Sequence, residues 1–290
     1  MTTLGTGLAA NGYHINNSGQ VAGTYSAGPL QEVACVWSPS GRTDIVCGEV
    51  AAATSINEAG YVVGTYGTEY ATRRGFVWDG TTVTDLTAPG SVESEAYDIN
   101  NSNQVTGTVT CYVEPEGYDG YYQDYPVLWN HGVPVFLNEQ GFEAACGLIN
   151  NAGQVMGYQY SPSLVTVLWT NGTMVYTSGP EGNGFGYGLN DAGQIVGMSL
   201  FGAFLWQEGS MIDLNSVLPT GSPYYFEVGR DINKSGQILV SGWYSTPEDA
   251  MGPTPCSFLL TPVPEPPCLL ILGCGLAAFV RSAVRRRASS

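Results

Sequence analysis

Short apolar runs separated by turn-forming residues follow one another along most of the chain, and no long helical period interrupts them. Five of these runs end in tryptophan: ACVW (34–37), GFVW (75–78), PVLW (126–129), TVLW (166–169) and AFLW (203–206). A sixth run, SFLL (257–260), has Leu260 in place of the tryptophan. A second apolar run follows in four cases: TVTDL (82–86), VPVFL (133–137), TMVYT (173–177) and SMIDL (210–214). Short runs bounded by Gly, Pro, Asn and Asp predict β-strands.

A turn signature precedes each of these strand pairs. The stretch INNAGQVMG (149–157) has counterparts at 15–23, 56–64, 99–107, 189–197 and 232–240. The first turn residue is therefore asparagine at positions 16, 57, 100, 150, 190 and 233. We expect this Asn to cap a tight hairpin through its side chain and the following Gly to adopt the left-handed conformation.

The repeat predicts a unit of four strands. One strand enters the turn, a second leaves it, a third ends at the tryptophan, and the second apolar run is the fourth. Four short strands with their turns fill about 40 residues, the size of a propeller blade, whose faces neighbouring blades must cover. The repeated tryptophan is the expected filler between sheets.

The ends of the chain favour a closed ring. The sixth repeat stops after its third strand, and MTTLGTG (1–7) resembles the fourth strand SMIDLNS (210–216). We therefore predict an all-β fold, a β-propeller of about six four-stranded blades over residues 1–262, in which the N-terminal strand closes the last blade. A seven-bladed propeller and a twisted sandwich are the alternatives.

Charge narrows the functional classes. The 290 residues include nine Lys and Arg, four of which lie at the C-terminal tip, against 25 Asp and Glu. Residues 1–262 thus carry five basic and 24 acidic side chains, for a net charge of −19. Such a body repels phosphate backbones, so we expect no nucleic-acid partner, whereas cations would be attracted.

The repeats resemble the HAF repeat of bacterial extracellular proteins, and AFLWQEGSMIDL (203–214) matches its pattern closely. The resemblance covers nearly all of residues 1–260. It implies a repetitive β architecture on exported proteins, and it supplies no catalytic residues. From this resemblance we expect no cofactor.

The stretch VPEPPCLLILGCGLAAFVRSAVRRR (263–287) resembles a PEP-CTERM sorting signal in all three of its parts. The motif is Val263, Pro264, Glu265 and Pro266; the apolar helix is Cys268–Val280; the basic tip contains Arg281, Arg285, Arg286 and Arg287. Thirteen residues make a helix of about 20 Å, which is short for a membrane span. Arginines would hold the cytoplasmic side.

The sorting signal implies a partner and a location. It implies an exosortase that removes the C-terminal tail, transient insertion in the inner membrane, and a final place at the cell surface or in the extracellular matrix of a Gram-negative bacterium. A permanent membrane anchor is the alternative. The start of the chain lacks the basic and apolar regions of a signal peptide, so we expect the true start to lie upstream or the chain to have been trimmed.

Several residues are candidates for special chemistry. DINNSN (98–103) resembles a calcium loop, but only Asp98 and Asp231 place a carboxylate two residues before the turn Asn, so we predict no metal site. His14 and His131 are expected to be structural or surface residues. The five body cysteines allow two disulfide hypotheses, Cys35–Cys47 and Cys111–Cys146, and five free thiols are the alternative.

The third unit contains an insertion, CYVEPEGYDGYYQDYP (111–126). Its tyrosines form a possible ligand loop: Tyr112, Tyr118, Tyr121, Tyr122 and Tyr125. Aromatic faces stack on sugar rings and neighbouring carboxylates accept sugar hydroxyls, so a glycan site is conceivable there. The alternative is a polar surface loop.

Together these features favour a non-enzymatic exported protein of the envelope or matrix, with a binding or structural role linked to exopolysaccharide. The alternatives are a secreted propeller hydrolase acting on polysaccharide and a membrane-anchored scaffold. The hydrolase would require acidic side chains or arginines that converge on one pocket.

Overall fold

The fold is described from a computed structural model that covers residues 10–28, 31–68, 71–138, 144–160, 164–177, 184–245 and 252–263. The chain forms two compact units, residues 1–162 with 168–174 and residues 163–167 with 175–290. The prediction of an all-β fold is confirmed, since the described residues form 23 strands and a single 3₁₀ turn, Leu214–Val217.

The first two repeats share one sheet of eight strands. Its strands are β1 (Ala10–Ile15), β2 (Val21–Gly28), β3 (Gln31–Ser38), β4 (Gly41–Ile45), β5 (Val50–Ile56), β6 (Val62–Thr68), β7 (Ala71–Trp78) and β8 (Val83–Leu86). Each repeat is an antiparallel meander as predicted, and a parallel bridge between Glu32 and Val50 joins the two.

The later repeats form separate sheets. The third is β9 (Ser91–Ile99), β10 (Gln104–Val113), β11 (Tyr121–Asn130) and β12 (Val133–Phe136). Next come β13 (Ala144–Ile149), β14 (Val155–Gln159), β15 (Val165–Thr170) and β16 (Thr173–Tyr176), then β17 (Gly184–Leu189), β18 (Ile195–Ser199), β19 (Gly202–Gln207) and β20 (Ser210–Asp213). The last sheet has three described strands, β21 (Tyr224–Ile232), β22 (Ile238–Tyr244) and β23 (Thr254–Leu260).

The repeated turn has the predicted geometry. In the first turn, Asn16 Oδ1 accepts hydrogen bonds from the backbone N–H groups of Ser18 and Gln20, at 3.1 and 3.0 Å. Gly19 is left-handed, with φ of 73°. The third turn has Asn103 at the equivalent position, and it adopts φ of 55°, a conformation that asparagine tolerates better than most residues.

The same asparagines also connect neighbouring repeats, which the sequence did not predict. In the first unit, Asn16 Nδ2 donates to the Asn57 carbonyl at 3.0 Å, and Asn57 Nδ2 donates to the Asn100 carbonyl at 3.1 Å. Asn100 donates to the Asn150 carbonyl in the same way. In the second unit, Asn190 donates to the Asn233 carbonyl at 3.2 Å. We call this row of side-chain bonds the asparagine ladder.

Tryptophan fills the space between sheets of the first unit, as predicted. Trp129 is fully buried, and it packs with Val63 and Leu86 of the preceding repeat. Its indole Nε1 donates to the Thr87 carbonyl at 2.9 Å. Gly107 makes room for it, because a Cβ atom there would lie 2.7 Å from the Trp129 ring and 1.9 Å from the Glu95 carbonyl oxygen. This explains the last glycine of the turn signature.

Both disulfide hypotheses are wrong, because Cys35, Cys47, Cys111 and Cys146 are free thiols. Cys35 packs with Tyr25 and Trp37, whereas Cys47 packs against the cluster that contains Ala34 and Val36. Neighbouring residues of a strand point to opposite faces, so the two sulfurs lie on different sides of β3.

The two thiols of the other predicted pair, Cys111 and Cys146, lie in different environments. Cys146 is buried, and its Sγ donates to the Gly107 carbonyl at 2.7 Å. Burial raises the pKa of Cys146 to about 12. Cys111 is half-buried against the core of the third sheet.

Some predictions fall outside the described residues. They are the N-terminal closing strand (1–7), the apolar helix Cys268–Val280, and the sorting and tip residues Pro264, Glu265, Pro266, Arg281, Arg285, Arg286 and Arg287. Among the described residues the structure contains no apolar helix of membrane-spanning length.

Candidate functional site

The insertion of the third repeat is mainly a β-hairpin, not the surface loop offered as an alternative. β10 and β11 pair without interruption from Gln104 opposite Asn130 to Val113 opposite Tyr121. Only residues 114–120 form the connection. The pairing of β10 with β11 is therefore longer than the corresponding pairing in the other repeats, and its fixed register determines which side chains share a face.

The register places polar groups on one face of this sheet. Thr110 on β10 lies between Glu93 on β9 and Asp124 on β11. Thr108 lies opposite Glu95 on β9. Because side chains alternate along a strand, these groups share one face. Thr110 Oγ1 donates to Asp124 Oδ1 at 2.6 Å, which orients that carboxylate.

Two hollows on this face, of about 640 and 510 Å³, share four of their lining residues: Tyr97, Thr108, Tyr122 and Asp124. We call the combined depression the tyrosine cleft. Tyr121, Ala144, Ala145 and Tyr160 line one end. Arg73, Val92, Glu93 and Glu95 line the other. Each hollow has the size of a small-molecule site, roughly 300–1,000 Å³.

Arg73 brings a positive charge to an otherwise acidic cleft. It projects from β7, and its guanidinium forms an ion pair with Glu95 and a longer one of 3.8 Å with Glu93. Both glutamates are about a quarter to a third exposed, at 25% and 31%. The guanidinium therefore holds two carboxylates together at the cleft wall.

A neutral phenol completes this group. Tyr97 donates its hydroxyl to Glu95 Oε2 at 2.9 Å. Burial raises the pKa of Tyr97 far above its ordinary value, and the Glu95 carboxylate raises it further, while the nearby Thr108 hydroxyl acts in the opposite direction. Tyr97 consequently remains a proton donor at any physiological pH.

The predicted tyrosines separate into three groups, at the cleft, in the hairpin connection and on the core side of the sheet. Tyr121 and Tyr122 line the cleft and are 49% and 68% exposed. Tyr112 packs edge-on against Tyr122, with ring centroids 5.3 Å apart. Tyr118 is exposed in the hairpin connection. Tyr125 points to the opposite face and packs against Phe136 at 5.8 Å, partly buried against the core of the third sheet.

Sequence reasoning missed several cleft residues. Glu93 and Glu95 alternate in SVESEAYDI (91–99), and this i, i+2 spacing places both on one strand face. Arg73 is one of only five basic residues in the body. Neither signal shows which strands meet, because Arg73 belongs to a different repeat from the glutamates.

A second polar group lies at the entrances to the first three turns. His14 Nδ1 is 2.6 Å from Ser55 Oγ, which donates to Asp98 Oδ1 at 2.6 Å. Ser55 lies between the other two and is only 2% exposed, whereas a hydrolytic triad places the histidine between an accessible nucleophile and an acid. The group therefore connects three successive repeats. His131 lies exposed in the turn between β11 and β12.

The turn is not available as a calcium loop in the arrangement suggested by DINNSN. The Asn100 side-chain oxygen accepts the N–H groups of Ser102 and Gln104. Asp98 accepts the Ile99 and Ile149 N–H groups in addition to Ser55. These bonds engage the oxygens that a metal would need.

No protein-family model matches the chain, and no curated protein matches it. Solved structures do share its fold. An acylaminoacyl peptidase bound to a chloromethyl ketone has a TM-score of 0.54 at 10% identity, covering 87% of this chain and 44% of that one. The β-propeller domain of the trilobed protease from Pyrococcus furiosus has a TM-score of 0.41 at 8% identity, covering 87% and 95%.

A polysaccharide lyase, an ulvan lyase, also resembles the chain, with a TM-score of 0.41 and 11% identity over 88% of this chain and 78% of that one. The chain spans less than half the length of the acylaminoacyl peptidase. Such distant likenesses show the fold class alone, which is that of β-propeller proteins.

The prediction of a non-enzymatic protein is corrected, because the acylaminoacyl peptidase that shares the fold at a TM-score of 0.54 is an enzyme. The prediction assumed that the body lacks convergent acids or arginines, whereas Glu93, Glu95, Asp124 and Arg73 all line the tyrosine cleft. The sequence hid this convergence because the four residues come from three strands and two repeats.

Proposed function

We propose that the protein is a secreted β-propeller enzyme that hydrolyses polysaccharide in the tyrosine cleft. The observation that carries the proposal is the convergence of three carboxylates, Glu93, Glu95 and Asp124, in one cleft with exposed tyrosine rings. Glycoside hydrolysis generally needs two carboxyl groups on either side of the scissile bond, and aromatic rings hold the sugars.

The hydrogen bonds suggest how the carboxylates divide the work. Glu95 is held by Arg73 and Tyr97, so it serves to position its neighbours. Asp124 uses only Oδ1 toward Thr110 among the described residues, and Glu93 has only its long contact with Arg73. We assign Asp124 and Glu93 as the catalytic pair. One protonates the glycosidic oxygen as the C–O bond breaks, and the other directs water or itself attacks the anomeric carbon.

The assignment predicts the effect of two isosteric changes. Asp124→Asn and Glu93→Gln should each lower the rate of reducing-end release from a susceptible polysaccharide by about 100-fold or more, because neither amide can transfer the proton. Glu32→Gln changes the same charge on an exposed residue of β3 outside the cleft and should keep full activity. Thermal unfolding checks that all three variants remain folded.

Two results would contradict the assignment. If the variants are as active as the unmodified protein, the assignment of the catalytic pair is refuted. If the unmodified protein releases no reducing ends from any of a broad polysaccharide panel, the proposed function is refuted.

We further propose that six HAF-type repeats close into one ring through residues 1–7, and that an exosortase sorts the protein to the cell surface or matrix. The match of residues 263–287 to the three-part signal supports sorting. Mass spectrometry of the mature protein from an exosortase-containing Gram-negative cell should show a chain that ends near Pro266. An intact chain in the inner membrane would favour permanent anchoring instead.

A further inference from the structure

We infer that the tyrosine cleft selects a positively charged polysaccharide, one that carries free amino groups on its sugars. This inference rests on the proposed function and specifies its substrate class. It depends on the balance of charge around the cleft, on the exposed aromatic rings, and on a buried hydroxyl whose acceptor lone pairs are unused.

The charges that face the cleft are predominantly negative. Glu93, Glu95 and Asp124 outnumber the single cation, Arg73, and that guanidinium is already paired with both glutamates. Arg73 is therefore poorly placed to bind the carboxylate or sulfate of an anionic polymer. An anionic chain would instead meet uncompensated repulsion, whereas an ammonium group would find a free acceptor in Asp124 Oδ2.

The hairpin connection extends this negative field. Glu114, Glu116 and Asp119 line a shallow hollow with Tyr118 at the end of β10 and β11. The described residues give these three carboxylates no side-chain partner. The body as a whole carries −19, so a cationic polymer would also be attracted at longer range.

The aromatic residues suit a cation as well as a sugar ring. Tyr122 is 68% exposed, and its edge contact with Tyr112 leaves a tyrosine face available. A tyrosine face attracts an ammonium group through the negative potential of the ring, and it also stacks on the pyranose ring.

Thr108 provides an observation independent of charge. It is more than nine-tenths buried and lines both hollows. Within the described residues its Oγ1 has no partner at full hydrogen-bond geometry, and its weaker interaction with the Tyr97 phenol, which lowers the pKa of Tyr97, leaves the acceptor lone pairs of the hydroxyl unused. A buried hydroxyl left without a donor is unfavourable, so a ligand hydroxyl or amine at this position would satisfy it.

The test compares oligomers of glucosamine and N-acetylglucosamine of equal length, which differ in the charge of the amine and in the acetyl group, with an oligouronate as the anionic reference; the salt dependence separates the effect of charge from that of the acetyl group. At mildly acid pH, where the amines are protonated, we expect the glucosamine oligomer to bind about tenfold more tightly than the acetylated one at low salt. The preference should shrink towards parity in about 0.5 M salt, because screening weakens exposed charges. The oligouronate should bind worst.

Variants locate the preference in the chain. Combined Glu114→Gln, Glu116→Gln and Asp119→Asn should reduce the preference for the charged oligomer without abolishing it, since the cleft carboxylates remain, and should leave binding of the neutral one unchanged. The matched control combines Glu32→Gln, Glu49→Gln and Glu208→Gln, which remove equal charge at exposed positions that line neither the cleft nor the hollow of the hairpin connection. That control should retain the preference.

The outcomes separate this inference from the proposed function. Equal binding of the two oligomers at low salt, with cleavage of the neutral one, would overturn the inference and leave the hydrolase standing. Salt-sensitive binding of the glucosamine oligomer without cleavage of any polymer would support the charge preference and refute the hydrolase. Neither binding nor cleavage would refute both.

Discussion

In four of the repeated turns, a single asparagine side chain performs two tasks at once: these are Asn16, Asn57, Asn100 and Asn190. In Asn57, Oδ1 accepts the N–H groups of Ala59 and Tyr61, at 3.1 and 3.0 Å, which closes its own turn. Nδ2 donates to the carbonyl of Asn100 and to Asn103 Oδ1, which belong to the next repeat. Asn57 is 3% exposed, so water cannot replace these bonds. Aspartate would lack the donor, which explains why the amide recurs.

This dual role predicts a cost for removing the amide. Asn57→Ala should lower the free energy of unfolding by about 1–3 kcal/mol, because it leaves the part-buried N–H groups of Ala59 and Tyr61 without their acceptor and removes the bonds to the next repeat. Urea unfolding measures the effect. Asn130→Ala, an exposed position at the end of β11, should change the value by less than about 0.5 kcal/mol. Equal effects of the two substitutions would show that the ladder does not stabilise the fold.

At the scale of the element, the hairpin β10–β11 has two faces with different tasks. Tyr122 and Asp124 lie on the cleft face, whereas Tyr125 and Val109 lie on the core face. The sequence located the insertion and its tyrosines, but it could not separate the two groups. Five tyrosines within fourteen residues look alike until the strand register is known, and a shift by one residue would exchange the faces.

The two faces predict opposite results for the same type of change. Tyr125→Ala should lower the free energy of unfolding by about 3 kcal/mol or more, since it opens a cavity beside Phe136. Tyr122→Ala should change it by less than about 1 kcal/mol and weaken oligosaccharide binding instead. Thermal unfolding and isothermal titration calorimetry give the two readouts. A stable Tyr125→Ala protein with impaired binding would contradict this arrangement.

At the scale of the whole molecule, buried thiols link stability to alkaline pH. Burial raises the pKa of both Cys35 and Cys146 from 9.0 to about 12. A thiol whose pKa is higher in the folded than in the unfolded state contributes its full stabilisation of the fold at any pH below the unfolded pKa. That contribution is lost as the pH rises from the unfolded pKa to the folded pKa. The window for loss is therefore about pH 9 to 12.

We accordingly expect the free energy of unfolding, measured under reducing conditions, to fall between pH 9 and 12. Each thiol should add about 1.4 kcal/mol per pH unit to the slope. Tyrosines of raised pKa, such as Tyr66, contribute with the same sign. Cys35→Ala combined with Cys146→Ala should be less stable at neutral pH but show a shallower decline. If the free energy of unfolding falls equally steeply with pH in that variant, groups other than these two thiols cause the loss of stability.

The repeat pattern predicted most of the fold but little of the site. The periodic asparagine, glycine and tryptophan positions reveal the strands and turns because each has a local steric or hydrogen-bonding reason to recur. The cleft is different, since Arg73 belongs to the second repeat and Glu93, Glu95 and Asp124 to the third. Their meeting depends on the packing of one repeat against the next, and a non-enzymatic protein was wrongly predicted for that reason.

The acceptor of each rung in the asparagine ladder is a main-chain carbonyl, a group that every amino acid possesses. The ladder bond itself thus requires no matching side chain in a new neighbour, unlike the joints His14–Ser55–Asp98 and Arg73–Glu95. Gene duplication could lengthen or shorten such an array one repeat at a time, while insertions such as the third hairpin diversify independently of the joints.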